Sequence, residues 1–200
     1  MTGLQIAAII LAGGRSTRMG RDKALIEVDG VPMLQRTAAI AQSCAAPVFI
    51  VTPWPDRYAA LLPDCKFVTE TPLPEETETH GPLVGFLQGF ELVAINEPPE
   101  WMLLLACDLP RLQAADVQRW AAQLGGVDAE AIAYLPRDGQ GWQPLCGFYR
   151  ASSLPLLRAF VQSGGRSFQR WLAQHIVAEI PGVDFATLLN CNTPEDLGQV

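Results

Sequence analysis

Two unbroken apolar runs constrain this chain more than anything else in it: IAAIIL at residues 6–11 and WMLLLAC at 101–107. A strand with one wet face alternates apolar and polar residues, so continuous apolar runs of this length belong to strands covered on both sides. Such strands require helices above and below a sheet. VFIVT (48–52) reads as a further buried strand and KFVT (66–69) as another. PMLQRTAAIAQSCA (32–45) and PDRYAALL (55–62) read as the helices between them. The first of these offers Pro32 for an opening turn and an apolar stripe at Met33, Leu34, Thr37, Ala38, Ala41 and Ala45. This alternation predicts a parallel sheet with right-handed crossovers. WMLLLAC, the most hydrophobic segment, is the expected central strand.

ETPLPEETETH (70–80) has the proline and acid content of a loop, and GPLVGFLQGFELVAI (81–95) resumes a helical pattern. Glycines 81, 85 and 89 fall on one face of that helix, where they permit close approach to backbone or ligand. Further on, 114–126 reads as a helix closed by glycine, 131–135 and 143–150 as strands, 154–165 and 167–175 as helices, and 176–180 as a strand. LLNCNTPEDL (188–197) reads as a strand end followed by a helix that starts at Thr193 with Pro194 in first position. No linker and no internal repeat interrupts the chain, which predicts one domain over 1–200. The fold class is α/β, a three-layer αβα Rossmann-like arrangement with a mostly parallel central sheet.

The formal net charge of −7 argues against non-specific binding to nucleic acid or an anionic membrane. Five cysteines are an odd number with no CxxC pair, and His80 and His175 are the only histidines. Buried reduced thiols therefore fit better than disulfides or a zinc site. Residues 1–14 lack a basic leader, and their apolar run is too short to span a bilayer. The expectation is a cytoplasmic protein.

Against this acidic background, IILAGGRSTRMGRDKAL (9–25) concentrates Arg15, Arg18, Arg21 and Lys23 around Gly13 and Gly14. It is neither a GxGxxG dinucleotide fingerprint nor a GxxxxGK[ST] phosphate loop. A strand, small residues and several cations still make an anion cradle. The competing reading is a tight turn with solvated arginines. Asp108, just past the expected central strand, sits where open α/β sheets bind ligands and where a carboxylate can meet Mg²⁺. Its competing reading is a turn before Pro110. Together, a cation for phosphate and a carboxylate for metal are what nucleotidyl transfer requires.

LAGGRSTRMGRDKAL (11–25) resembles the LAGGxSxRMGxDKxL signature of nucleotidyltransferases that consume a nucleoside triphosphate and release pyrophosphate. GPLVG (81–85), CDLP (107–110) and NCNTPEDL (190–197) are similar to segments of one branch, the molybdenum cofactor guanylyltransferases. The resemblance implies a fold of the nucleotide-diphospho-sugar transferase type and transfer of GMP from GTP to molybdopterin (Mo-molybdopterin). It also implies Mg²⁺ as cofactor, with molybdenum insertion proteins and acceptor molybdoenzymes as partners. By the same resemblance, Leu11, Ala12 and Gly13 hold the guanine nucleotide through backbone groups, with Gly14, Arg15 and Gly81 in the same site. Lys23 contacts the phosphates, Asp108 binds Mg²⁺, and Asn190 and Asn192 lie beside it. Arg18 and Gly20 face the phosphates or the pterin. Gln143, in QPLCG (143–147), lines the pterin side where many relatives carry His. Glu70 stands where the family usually has Asp as a nucleotide contact. Lys23, Asp108 and Arg18 form the implied catalytic set. Two alternatives stay open: a cytidylyl- or sugar-phosphate nucleotidyltransferase of the same fold, and a non-catalytic nucleotide-binding adaptor.

Overall fold

The computed structural model describes residues 4–13, 22–73, 81–95 and 98–191. Strand β1 (Ile6–Leu11) precedes a 3-10 turn (Lys23–Leu25), a small ribbon of β2 (Glu27–Val28) and β3 (Val31–Pro32), and helix α1 (Met33–Gln42). Next come β4 (Val48–Thr52), α2 (Pro55–Tyr58), β5 (Lys66–Thr69), α3 (Pro82–Val93), β6 (Trp101–Ala106) and α4 (Ala114–Ala121). The last third holds β7 (Ala133–Leu135), a ribbon of β8 (Arg137–Asp138) and β9 (Gly141–Trp142), and β10 (Cys146–Arg150). It continues with α5 (Leu154–Gln162), α6 (Phe168–Leu172) and β11 (Val177–Glu179).

Seven strands form the central sheet in the order β11-β7-β10-β6-β1-β4-β5, with β6 in the middle as its apolarity predicts. β6, β1, β4 and β5 pair in parallel, as do β7 and β11. β10 alone runs against both its neighbours, β6 and β7. Because successive side chains of a strand point to opposite faces, each apolar run feeds two cores. Ala8, Ile10, Ile50, Leu103 and Leu105 pack beneath α1, α2 and α4, against Leu34, Tyr58 and Trp120. Ala7, Ile9, Val51, Met102 and Leu104 pack beneath α3, α5 and α6, against Phe86, Leu157 and Trp171. The continuous apolar pattern is thus the sum of two alternating ones, and the architecture is a three-layer sandwich with a mostly parallel sheet.

Several local readings change: the helix read over 55–62 covers only Pro55–Tyr58, and the strand read over 143–150 only Cys146–Arg150. Pro32 ends the β2/β3 ribbon and caps α1 rather than opening its first turn. The helix read over 114–126 stops at Ala121 and is followed by a separate 3-10 turn, Leu124–Gly126. Leu188 closes a 3-10 turn (Phe185–Leu188) and no strand follows it up to Cys191. The reason is topological: β1 and β10 already occupy both edges of β6, so a late segment crossing that region has no ladder to join. The helix expected from Thr193 lies outside the described residues. All five cysteines are free thiols, with Cys44 and Cys107 only half-buried. Among the described residues, no helix is long and apolar enough to cross a membrane.

Candidate active site

The carboxyl ends of β1, β4, β5 and β6 meet at one edge of the sheet, and the candidate residues gather there. Ala12 is fixed as β1 exits: its N–H donates to the Val51 carbonyl at 2.9 Å, and its carbonyl accepts from the Thr52 hydroxyl at 3.0 Å. Thr52 is fully buried, and its Oγ1 also accepts from the Trp54 N–H at 3.2 Å. The Leu11 carbonyl accepts from Cys107 N–H at 3.3 Å, tying the exit of β1 to that of β6.

Lys23 opens the 3-10 turn, and Asp22 caps it by accepting the Ala24 N–H at 3.1 Å on Oδ1. The other oxygen of Asp22 accepts from Arg57 Nη1 at 2.9 Å and from the Tyr58 hydroxyl at 2.6 Å. Burial, followed by the neighbouring Asp22 carboxylate, pushes the Tyr58 phenol well above its ordinary range, so it stays a donor. α2 therefore braces the turn that carries Lys23. The Lys23 ammonium lies 3.7 Å from Asp108 Oδ2, with both side chains only 20% exposed.

Asp108 follows the last residues of β6, and its backbone carbonyl accepts the Cys191 N–H at 3.0 Å. Cys191 is itself buried with Ile26, Val28 and Met33, which anchors the strand-less segment 189–191 at the end of β6, while Asn190 just before it is exposed. Burial raises the Asp108 carboxyl above the usual carboxylate range, and the nearby Lys23 opposes that rise only in part. Burial likewise pushes the neighbouring Cys107 thiol up to about 12, which leaves it un-ionised and no nucleophile.

Glu70 follows β5, with its N–H donating to the Thr52 carbonyl at 2.9 Å. Its carboxylate lies in a slot between two glycines. A Cβ on Gly13 would come within 2.2 Å of Glu70 Oε2, and one on Gly85 within 3.4 Å of Oε1. The expected close approach of α3 thus serves this carboxylate, and further down the helix it seats Gly89 against Val51 and Ile9. Gly81 caps α3 at φ +83°, a conformation that side chains with a Cβ rarely adopt. Burial raises the Glu70 carboxyl above its ordinary range.

On the other side of β6, the Leu145 carbonyl accepts the Ala106 N–H at 2.8 Å and brings the 143–147 segment to the same edge. The Gln143 side chain donates to Asp138 Oδ2 at 2.6 Å, within its own ribbon. Two groups therefore form: Lys23 with Asp108, and Glu70 with Gly13 and Gly85, while Gly81 stands at the start of the helix that carries Gly85 and Asn190 is brought into neither. Gln143 belongs to a third, the β8/β9 ribbon. Gly14, Arg15, Arg18, Gly20 and Asn192 lie outside the described residues. Three contributors were missed in the sequence. Asp22 had a signal, an acid directly before Lys23 at a turn. Thr52 had a weaker one, a hydroxyl ending an apolar strand. Gln88, on α3, had none.

The donor set limits what kind of metal ion could be held here. Among the described residues, no group of three or more Asp, Glu, His or Cys could hold an ion by itself. One half-desolvated carboxylate next to an ammonium fits an ion that arrives with phosphate oxygens, the usual manner of Mg²⁺.

The comparisons with known proteins agree with this fold. The MobA-like NTP transferase domain matches residues 8–179. The chain is 55% identical to a probable molybdenum cofactor guanylyltransferase of Nostoc sp., over 98% of this chain and 90% of that one. It is 44% identical to the corresponding protein of Synechococcus elongatus, over 96% of each chain. Among solved structures, molybdopterin-guanine dinucleotide biosynthesis protein A from Archaeoglobus fulgidus superimposes with a TM-score of 0.74 at 17% identity, covering 96% of this chain and 95% of that one.

Proposed function

The chain belongs to the MobA-like NTP transferase family, and from that premise we propose how its residues carry out guanylyl transfer. It is a nucleotidyltransferase, and the activity of its family is transfer of GMP from GTP to molybdopterin with release of pyrophosphate. The observation that carries the residue assignment is the approach of Lys23 to Asp108 at the carboxyl end of the central strand.

In this reading a terminal phosphate oxygen of molybdopterin attacks the α-phosphorus of GTP in line, and the pyrophosphate oxygen leaves with the bond's electron pair. The attacking phosphate is already ionised near neutral pH, so no protein nucleophile or strong base is needed. Lys23 would meet the phosphate oxygens as a point charge and offset negative charge that grows as the leaving group departs. Arg15 and Arg18 are assigned the same task. A divalent ion, Mg²⁺ in our proposal, would be held by Asp108 with Asn190 and Asn192 nearby, and would supply charge neutralisation at the phosphoryl oxygens. Leu11 and Ala12 form the anchored floor of the nucleotide half, and Gly13, Gly14 and Gly81 let the ligand approach backbone closely. Glu70 is assigned the guanine edge, where N1–H and N2–H₂ are donors that a carboxylate can accept as a pair. Gln143 is assigned to the pterin side. The whole chain, 1–200, would act as one domain.

The test is pyrophosphate release from GTP and molybdopterin across a Mg²⁺ titration. Asp108→Asn is expected to lower turnover at least about 100-fold, while unfolding midpoints stay close to wild type. Wild-type rates in that variant at every Mg²⁺ concentration would remove Asp108 from the mechanism.

A further inference from the structure

We propose that Gln88 is a positioning residue for nucleotide selection, acting through Glu70; this rests on the assignment of Glu70 to the guanine edge. Gln88 projects from the middle of α3, one turn after Gly85. Its side-chain amide makes a reciprocal pair of hydrogen bonds with the backbone of Thr71. The Thr71 N–H donates to Gln88 Oε1 at 3.1 Å, and Gln88 Nε2 donates to the Thr71 carbonyl at 2.8 Å. This is the hydrogen-bond exchange that two paired strand residues make with each other. The amide therefore acts as one more rung beyond the end of β5, where no further strand continues the ladder.

Its effect falls on Glu70, held between two fixed points. On one side its N–H is bound to the Thr52 carbonyl at 2.9 Å; on the other the next residue, Thr71, is clamped to α3. Between them the carboxylate occupies the slot bounded by Gly13 and Gly85. No protein donor holds the carboxylate itself among the interactions of the described residues, so its aim is set by the backbone. Gln88 sets that backbone, and being on the same helix as Gly85 it also fixes one wall of the slot. The length of a Glu side chain makes such a brace more necessary, since each of its methylenes adds a torsion that packing must restrict.

Gln88→Met keeps the length of the side chain and removes both hydrogen bonds. Gln88→Glu keeps an acceptor for the Thr71 N–H and loses the donor to its carbonyl. Inosine triphosphate lacks the N2 amine of GTP, so the ratio of kcat/KM for GTP to that for inosine triphosphate reads the carboxylate's aim. The full chain is assayed with molybdopterin and Mg²⁺, following pyrophosphate. Gln88→Met is expected to lower the ratio about tenfold. Most of this change is expected in KM for GTP, with kcat within about twofold because Lys23 and Asp108 are untouched. Gln88→Glu is expected to fall between Met and wild type. Glu70→Gln, the control for the underlying assignment, is expected to lower the ratio further than either. An unchanged ratio in Gln88→Met overturns the clamp, as does an equal loss of kcat/KM for both nucleotides, which would be a general loosening of the fold. If Glu70→Gln itself retains the wild-type ratio, the guanine assignment fails, and the two failures are told apart.

Discussion

Glu70 and Asp108 are both carboxylates whose pKa burial raises, and this sets the sign of their effect on stability. A carboxyl harder to ionise in the folded chain than in the unfolded one favours folding at low pH and opposes it once it is charged. Glu70→Gln should therefore match the wild type in unfolding midpoint below about pH 4, where the unfolded carboxyl is also neutral. As pH rises through the folded pKa of Glu70, the Gln variant should become the more stable of the two. A difference that stays constant from pH 4 to 8 would mean that burial of the charge is not what the substitution relieves. At this scale the sequence was informative where a residue type has one obvious use. Lys23 and Asp108 were legible separately, and the fold brings them together. Thr52 was only weakly so and Gln88 was not, because their partners, the carbonyl of Ala12 and the backbone of Thr71, are set by chain path and not by residue type.

Among the elements, α3 is the one whose composition looks most costly, with three glycines at or within a 12-residue helix. Helix propensity alone would make Gly89→Ala stabilising by about 1 kcal/mol. The packing reverses this, because a Cβ there would lie 2.7 Å from Val51 Cγ2 and 3.1 Å from Ile9 Cδ1, both on buried strands. Overpacking of that kind costs about 1–3 kcal/mol. We expect Gly89→Ala to be destabilising in denaturant unfolding, and Gly89→Ala with Val51→Ala to be less destabilised than the sum of the singles. A Gly89→Ala chain more stable than wild type would show that α3 withdraws from the sheet at little cost. The spacing of 81, 85 and 89 was readable beforehand as close approach, and the buried strands as strands. The two ribbons were not, since two-residue strands such as β8 and β9 leave no periodicity to detect. Nor was the path of 188–191, because a buried Leu188 beside an exposed Leu189 has the alternation of a strand without a partner.

Across the whole molecule, the half proposed for the nucleotide is built from the ends of β1, β4, β5 and α3, and ligand binding to it should be measurable as global stability. GTP with Mg²⁺ should raise the unfolding free energy by about 2.7 kcal/mol at a hundredfold excess over its dissociation constant. CTP at the same concentration should give a smaller shift, and an equal or larger one would favour the cytidylyl alternative. The single reversed strand has a wider consequence. Because β10 runs opposite to β6, its beginning and not its end lies at the edge where the other strands finish. The segment assigned to the acceptor thus enters the sheet from a ribbon that shares no strand with the segments assigned to the nucleotide. Such a layout is modular: exchanging or lengthening the Arg137–Trp142 ribbon could retarget the enzyme to a new phosphorylated acceptor while its donor chemistry is inherited intact.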